Sequence, residues 1–339
     1  MASRRLGTLY AGVFFYYHSY IMKILVTGGA GFIGSHVVDS YVKAGHRVVV
    51  ADNFSSGKRE NLAQSAGEFL SIHEIDLRDG NELRELVAQV KPDIVNHHAG
   101  QISVSVSSER PVDDAMINII GTLNLLEAIR LEAPAAKLIY ATSGGAMYGP
   151  HRDSNPHVEG AESFPLSPYG LSKHTAERYV WLYCNLYGLK ATVLRYANVY
   201  GLRQDPHGEA GVCAIFTQRM TEGLPVTIYG DGSSIRDYVF VGDVARANVA
   251  ALDRGEGHAF NISTGTGITT KELFDTFKEA TGYKLEPLQA PLRPGELHAS
   301  VLSPFKALDL LGWKHETSFK EGVAKTVEWY ASAHNNAAA

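Results

Sequence analysis

The sequence predicts an α/β fold, a doubly wound parallel sheet followed by a smaller, mixed C-terminal lobe. Three observations carry that prediction. Short apolar runs alternate with segments of helical spacing from Lys23 to Tyr200, a glycine cluster stands at the first strand-to-helix junction, and past Gly201 the alternation gives way to longer loops. In that later part Gly and Pro gather at 208–211, 230–232 and 291–295. Strands that alternate with helices must be joined by crossovers, which lay helices on both faces of a parallel sheet.

The elements follow in order. KILVT (Lys23–Thr27) is a short apolar run closed by glycines and reads as a buried strand. Apolar residues at helical spacing then run from 32 to 44 and stop at Gly45, as a C-terminal glycine would stop them. RVVVA at 47–51 is the second strand. The rhythm repeats through a strand near 70–75, a helix at 81–90, the strand Ile94–His97, a helix at 112–132, a strand at 137–141, a helix at 169–187 and a strand at 191–196. Further helices are expected at 214–222, 242–251, Thr270–Thr281 and 320–333, and the tail from 334 to 339 should fray. The chain divides into residues 1–21, a first domain at 22–200 and a second lobe at 201–334, with some segments returning to the first domain. Residues 1–21 make a poor signal peptide, because Tyr17, His18 and Tyr20 break the apolar run; they read as a non-native or disordered extension upstream of a start at Met22.

Composition narrows the function. Of 339 residues 45% are hydrophobic and 20% charged, a balance far from that of a disordered chain. With 31 Lys+Arg against 36 Asp+Glu the net charge is -5, so there is no basic excess to neutralise a nucleic-acid backbone. No uninterrupted apolar run approaches the roughly eighteen residues of a membrane span. Two cysteines, Cys184 and Cys213, cannot make a disulfide framework or a four-cysteine zinc site, and they suit a reducing, cytoplasmic setting.

The segment TGGAGFIG (Thr27 to Gly34) joins the first strand to the first helix. Gly28, Gly31 and Gly34 allow a sharp turn and a close approach to a pyrophosphate, and the helix N-terminus offers N–H groups and the positive end of its dipole. About twenty residues on, Asp52 ends the second strand, where an acid takes the hydroxyls of an adenosine ribose. This is the fingerprint of a Rossmann-type dinucleotide site. A carboxylate at Asp52 accepts hydrogen bonds from a free ribose and repels a 2′-phosphate, which favours NAD over NADP. Lys58 and Arg59, close by in sequence, weaken that preference slightly.

Tyr169 and Lys173 (YGLSK) are four residues apart at the start of a predicted helix, on one face. Drawing a phenol pKa from about 10 to about 7 needs about 4 kcal/mol of preferential phenolate stabilisation. A neighbouring ammonium in a water-poor cleft supplies much of that, and an oxidised nicotinamide adds a second positive charge. The result is a general base able to take a proton from a hydroxyl as hydride leaves the same carbon.

With these motifs in place, the chain from Met22 to about Tyr330 resembles the extended short-chain dehydrogenase/reductase family, and within it the UDP-glucose (UDP-galactose) 4-epimerases. TGGAGFIG, HEIDL, NHHAG, NIIGT, MYG, SPYGLSK, LRYANVYG, RQDPHGEAG, GDGSSIRDYV and LRPGE occur in the family's order. The resemblance implies that Gly28, Gly31, Phe32, Ile33 and Gly34 cradle the NAD pyrophosphate. It implies that Asp52 and Asn53 hold the adenosine ribose, that Asp76 and Leu77 flank the adenine, and that Ala99, Gly100 and Asn118 line the cofactor path. Lys173 should hold the nicotinamide ribose as well as tune Tyr169, with Tyr196 beside the nicotinamide. Asn198, Arg236 and Arg293 should grip the diphosphate of a UDP-sugar and Glu296 its uridine ribose. Ser300 occupies a position that bounds the sugar pocket in relatives, where a small residue would admit N-acetylated sugars. The implied reaction is epimerisation: Tyr169 deprotonates the sugar 4-hydroxyl during oxidation at C4, the 4-keto sugar turns over, and reduction occurs on its other face. Relatives also imply a homodimer through the helices at 112–132 and 169–187, whose aromatic residues Tyr179, Trp181, Tyr183 and Tyr187 exceed what one core face needs.

Two departures refine the reading. Counting back from Tyr169, the family's triad Ser or Thr falls on Gly144, so Ser143, Thr142 or a water is expected to replace that hydroxyl. Related dehydratases and decarboxylases carry an acid just before the VYG-like turn, where this chain has Gly145 and Ala146 ahead of Met147, Tyr148 and Gly149. Without that acid the reaction should stop at epimerisation. UDP-glucuronate 4-epimerase, decarboxylase and dehydratase activities, and a non-catalytic NAD sensor, are the alternatives. No metal site is expected: His97 and His98 are adjacent on a strand and point to opposite faces, and the Asp205, His207, Glu209 cluster reads as a substrate-covering loop.

Overall fold

In the computed structural model, residues 21–150, 156–207, 211–292 and 297–337 are described. The first half alternates strand and helix: β1 (Lys23–Thr27), α1 (Phe32–Lys43), β2 (Arg47–Asp52), β3 (Leu70–Glu74), α2 (Gly80–Val90) and β4 (Ile94–His97). There follow α3 (Val104–Glu109), α4 (Pro111–Ala115), a π-helical turn (Met116–Ile120), α5 (Gly121–Glu132), β5 (Lys137–Ser143), α6 (Gly144–Met147), α7 (Pro168–Tyr187) and β6 (Lys190–Tyr196). The second half holds β7 (Asn198–Tyr200), α8 (Val212–Thr221), β8 (Thr227–Tyr229), β9 (Ile235–Phe240), α9 (Val241–Ala250) and β10 (His258–Ile262). It ends with β11 (Gly267–Thr269), α10 (Thr270–Thr281), β12 (Leu288–Ala290), β13 (Ala299–Ser300) and α11 (Phe319–Ala337).

Seven parallel strands form the main sheet in the order β10-β6-β5-β4-β1-β2-β3. Strand order reverses beside β1, so the C-terminal ends of β1 and β4 open a crevice at the switch point, where α/β sheets take their ligands. Helices α1 and α9 pack on one face, around Val37, Val38, Val244 and Ala247; α2, α5 and α7 cover the other, around Leu83, Leu125, Ile129 and Val180. A third apolar cluster, including Phe216, Phe274 and Phe277, holds the smaller lobe.

Local chemistry explains the boundaries. Asp79 caps α2 by accepting from the N–H groups of Asn81 and Glu82. Ser167 caps α7, Pro168 occupies its first turn, and Gly188 ends it with φ 69°. A reciprocal capping box between Thr269 and Glu272 starts α10.

The structure alters the expected elements or adds to them. The helix expected at 112–132 starts at Pro111 and contains a π turn centred on Asn118, because that residue's side chain and carbonyl are engaged by neighbours rather than left to an even α-helical ladder. Residues 104–109 form a helix capped by Ser103, a segment whose serines gave no apolar periodicity. Strand β10 (HAFNI), from the part of the chain past Gly201, lies in the main sheet beside β6, and α11 continues beyond Ala333 to Ala337.

Candidate active site

The glycine loop is tight because its backbone is stacked against itself. Gly28 has φ 68°, and a Cβ there would lie 2.5 Å from the Ala99 nitrogen. A Cβ on Gly34 would lie 2.1 Å from the Gly28 carbonyl oxygen. Helix α1 begins after Gly31 with no side-chain cap and no acid in its first turn, so the N–H groups of Phe32 and Ile33 have no competing anion on the chain. That cradle fits a pyrophosphate.

Asp52, buried at the end of β2, accepts from Ala30 N through Oδ2 (2.9 Å) and from Phe54 N through Oδ1 (2.9 Å). It therefore braces the glycine loop, and its remaining lone pairs are what a ribose could use. Asn53 donates to Asp76 (2.9 Å), tying the ribose end to the adenine end. Arg78 holds the Asp76 carboxyl well below the usual carboxylate range through bonds of 2.9 and 2.6 Å. Leu77 is buried against Gly121, whose Cβ position lies 3.1 Å from its side chain. Lys58 and Arg59 are both ion-paired, to Asp205 (2.8 Å) and Glu74 (2.7 Å), so neither stands ready for a 2′-phosphate.

Tyr169 opens α7, with its backbone N–H donating to Ser107 Oγ of α3 (3.1 Å). Its phenol is raised above the ordinary value by burial, is drawn down by a hydrogen bond with the Ser143 hydroxyl, and is raised again by Asp114. Ser143 is thus the hydroxyl that meets the phenol, next to Gly144, whereas Thr142, one residue back on β5, lies buried in the strand. Lys173 sits one turn along α7, nearly buried, with Nζ 5.1 Å from the centre of the Tyr140 ring. Burial lowers its ammonium pKa to about 8. The YxxxK spacing suggested that Lys173 draws the phenol down; from the protein groups alone, burial of the phenol dominates and Ser143 is the group that opposes it.

Asn118 reaches this pocket from the π turn. Its Oδ1 accepts from Gln101 N (2.9 Å), and its Nδ2 lies 3.1 Å from each of Gln101 O, Asp114 Oδ1 and Ser172 Oγ. A Cβ on Gly100 would be 2.8 Å from Asn118 Oδ1 and 3.6 Å from Lys173 Nζ. Tyr196 pairs in register with Ser143; its hydroxyl accepts from Asn248 (2.9 Å) and meets His98 Nε2 (3.0 Å). His98 stacks on that ring, and burial pushes its pKa down to about 3, so it is neutral.

On the substrate side, Asn198 donates to Asp237 O (3.3 Å) and lies beside Gly145, whose Cβ would be 3.8 Å from Asn198 Nδ2. Arg236 and Ser300 are register partners on β9 and β13. Ser300 is buried, with Oγ 3.4 Å from Gly145 O. Arg293, Glu296 and Glu209 lie outside the described residues. Among the described residues no group of three or more His, Cys, Asp and Glu side chains could hold a metal. The sequence reading gave no role in the site to His98, Gln101, Ser107 and Asp114; His98 lies within the quoted motif NHHAG, Gln101 directly follows it, and Asp114 stands one helical turn before Asn118 of NIIGT, which were the available signals.

A glycine cradle, a ribose acid and a Tyr–Lys–Ser cluster at the switch point of a parallel sheet define a nicotinamide-dependent enzyme of the short-chain dehydrogenase/reductase class. The chain belongs to the NAD-dependent epimerase/dehydratase family, whose profile matches residues 24–263. It is 44% identical over 312 residues to the UDP-glucose 4-epimerase of Mycolicibacterium smegmatis, covering 91% of this chain and 98% of that protein. Two crystal structures superpose closely. The UDP-glucose 4-epimerase of Thermotoga maritima with UDP-glucose has a TM-score of 0.89, and that of Thermus thermophilus with NAD has 0.86. Each is 46% identical and covers 92% of this chain and 100% of its own.

Proposed function

We propose that this chain is an isomerase that interconverts UDP-glucose and UDP-galactose by NAD-dependent epimerisation at C4. The observation that carries the reading is the convergence of Ser143 and Tyr169 beside Lys173, below a glycine cradle built for a dinucleotide. Bound NAD supplies the acceptor for the C4 hydrogen and returns it. The chain does the rest. Tyr169 takes the proton from the sugar 4-hydroxyl and later gives it back, Ser143 stabilises the phenolate oxygen through its hydrogen bond, and Lys173 contributes positive charge and holds the nicotinamide ribose. Asn198, Arg236, Arg293 and Glu296 anchor the UDP end, so that the keto sugar can turn without escaping. Gly145 and Ala146 offer no carboxylate for elimination or decarboxylation, which disfavours the dehydratase and decarboxylase readings.

Ser300 sets the size of the sugar pocket, and its small side chain suits N-acetylhexosamines as well. We place the protein in the cytoplasm, in keeping with its free cysteines Cys184 and Cys213; among the described residues no helix is long and apolar enough to cross a membrane. We also propose a homodimer through the segment 112–132 (α4, the π turn and α5) and α7, which expose Val112, Met116, Leu171, Leu182 and Leu186. The deciding experiment adds UDP-galactose to purified protein without added NAD and follows UDP-glucose. Turnover by wild type, with none by a Tyr169→Phe variant that still carries NAD, is expected; a Tyr169→Phe variant of wild-type rate would overturn the acid–base assignment.

A further inference from the structure

We propose that Asp114 is the buried counter-charge of this site, a positioning residue that holds Lys173 as an ammonium and locks the Asn118 amide beside it. The inference rests on the reading of Tyr169 and Lys173 as the acid–base pair. Two aspartates stand side by side in PVDDAMINIIGT and turn different ways on α4. Asp113 faces solvent, paired with Arg110 at 2.5 Å; Asp114 is 1% exposed. A carboxylate that deeply buried needs either a proton or compensating charge. Asp114 Oδ1 accepts from Gln101 Nε2 (2.9 Å) and Asn118 Nδ2 (3.1 Å), while Oδ2 has no hydrogen-bond partner among the described residues.

The compensating charge comes from α7. Lys173 Nζ stands over the Tyr140 ring of β5 and 3.6 Å from the Gly100 Cβ position, which is 2.8 Å from Asn118 Oδ1. The Asn118 amide bonds both Asp114 of α4 and Ser172, the neighbour of Lys173. Tyr169 is one turn back on the same helix, and His97 and His98 of β4 and Asp114 act on the ammonium through charge. Both histidines are kept neutral by burial and by the charge of Lys173. Asp114 is the carboxylate that opposes burial at Lys173, and it disfavours a second negative charge on Tyr169. Its two amide bonds do a further job. With Nδ2 of Asn118 drawn to Asp114, Oδ1 must face Gln101 N, which fixes the amide orientation next to Gly100 and Ser172.

Asp114→Asn keeps the shape of the residue and removes the charge. The holoenzyme variant should lose the alkaline part of its pH profile: relative to wild type, kcat should fall about tenfold at about pH 8.5 and stay within about threefold at about pH 6.5. In the 15N spectrum of the holoenzyme, assigned with Lys173→Arg, the Lys173 Nζ proton should be lost at lower pH in the variant. An equal loss at both pH values, or an unchanged profile, would overturn the proposal. Asp114→Ser serves if Asp114→Asn does not fold; if neither folds, the wild-type titration decides, since a Lys173 already neutral at about pH 7 needs no counter-charge. Failure here is distinct from failure of the acid–base reading, because an inactive Tyr169→Phe together with an unshifted Asp114→Asn profile removes only this inference.

Discussion

A side chain at Gly144 would press on Leu302: its Cβ would lie 2.5 Å from Leu302 Cδ1, so the fully buried Leu302 side chain would have to shift. The Arg195 Cβ closes the other side at 3.4 Å. A hydroxyl at 144 would therefore come at a packing cost, and Ser143, at the end of β5, is the hydroxyl we propose in its stead. Ser143→Ala should lower kcat about tenfold to a hundredfold with little change in KM, while Thr142→Ala should stay within about threefold. Gly144→Ser should not rescue Ser143→Ala and should cost about 1–3 kcal/mol of stability by overpacking. Steady-state kinetics and denaturant unfolding check each; equal kinetic losses for Ser143→Ala and Thr142→Ala would remove the special role of Ser143.

Gly34 offers a test of the cradle that leaves the chemistry untouched. Because its Cβ would meet the Gly28 carbonyl at 2.1 Å, Gly34→Ala must push α1 away from the loop. The purified variant is expected to carry no NAD and to recover activity only when NAD is supplied in large excess. Gly45→Ala is a poor control because Gly45 has φ 85°; Gly160→Ala is a better one, since nothing lies within 4 Å of its Cβ position. Retention of NAD by Gly34→Ala at wild-type levels would contradict the cradle.

How far the sequence could be read follows from what kind of signal each part carries. The sheet from β1 to β6 was legible because buried parallel strands are apolar runs bounded by glycine or by helical periodicity, and the cradle was legible because only glycine permits the approach of Gly34 to Gly28. Strand β10 was not, because HAFNI buries a polar Asn261 that is satisfied only by distant groups, its N–H by Glu159 and its side chain by His157 O. Helix α3 was hidden by its serines, which cap and back-bond within the segment instead of marking an apolar face. Nothing in the sequence separates Asp114 from Asp113, since only the tertiary packing of α4 on α7 tells them apart.

The proposed dimer face makes a separate prediction. Val112, Met116 and Ile120 recur one turn apart along α4 and the π turn, at 73%, 41% and 37% exposure, and Leu182 and Leu186 repeat the pattern on α7. A stripe of that kind is costly to leave in water. Met116→Glu combined with Leu186→Glu should convert a dimer to a monomer in sedimentation analysis while keeping NAD bound. A wild-type protein that sediments as a monomer would end the proposal, as would a double variant that still dimerises.

Three histidines, His97 buried and His98 and His36 partly so, tie stability to pH. His97 Nδ1 lies 2.7 Å from Thr27 Oγ1 and its Nε2 3.0 Å from Thr122 Oγ1, and the latter hydroxyl donates onward to Asn118 O. The Nε2 proton is therefore given to Thr122 and Nδ1 accepts from Thr27, so a second proton, on Nδ1, would have to displace the Thr27 hydroxyl proton from that bond. Burial holds the His97 pKa well below its ordinary value, His98 at about 3 and His36 at about 4. Each folded-state pKa is depressed, so between about pH 6.5 and 4 the unfolded chain binds protons that the folded chain refuses, and stability falls as pH falls through that window. His97 and His98 should each remove about 1.4 kcal/mol per pH unit once the pH is below their unfolded value. Unfolding at about pH 5 should take up about three protons on these histidines, with His46 and His174, also held below their ordinary value, adding to the total measured by calorimetry in buffers of different ionisation enthalpy, and His98→Gln should take up about one fewer. An unfolding transition whose midpoint is the same at about pH 7 and about pH 5 would show that these imidazoles are charged within the fold, contrary to the bonds they make.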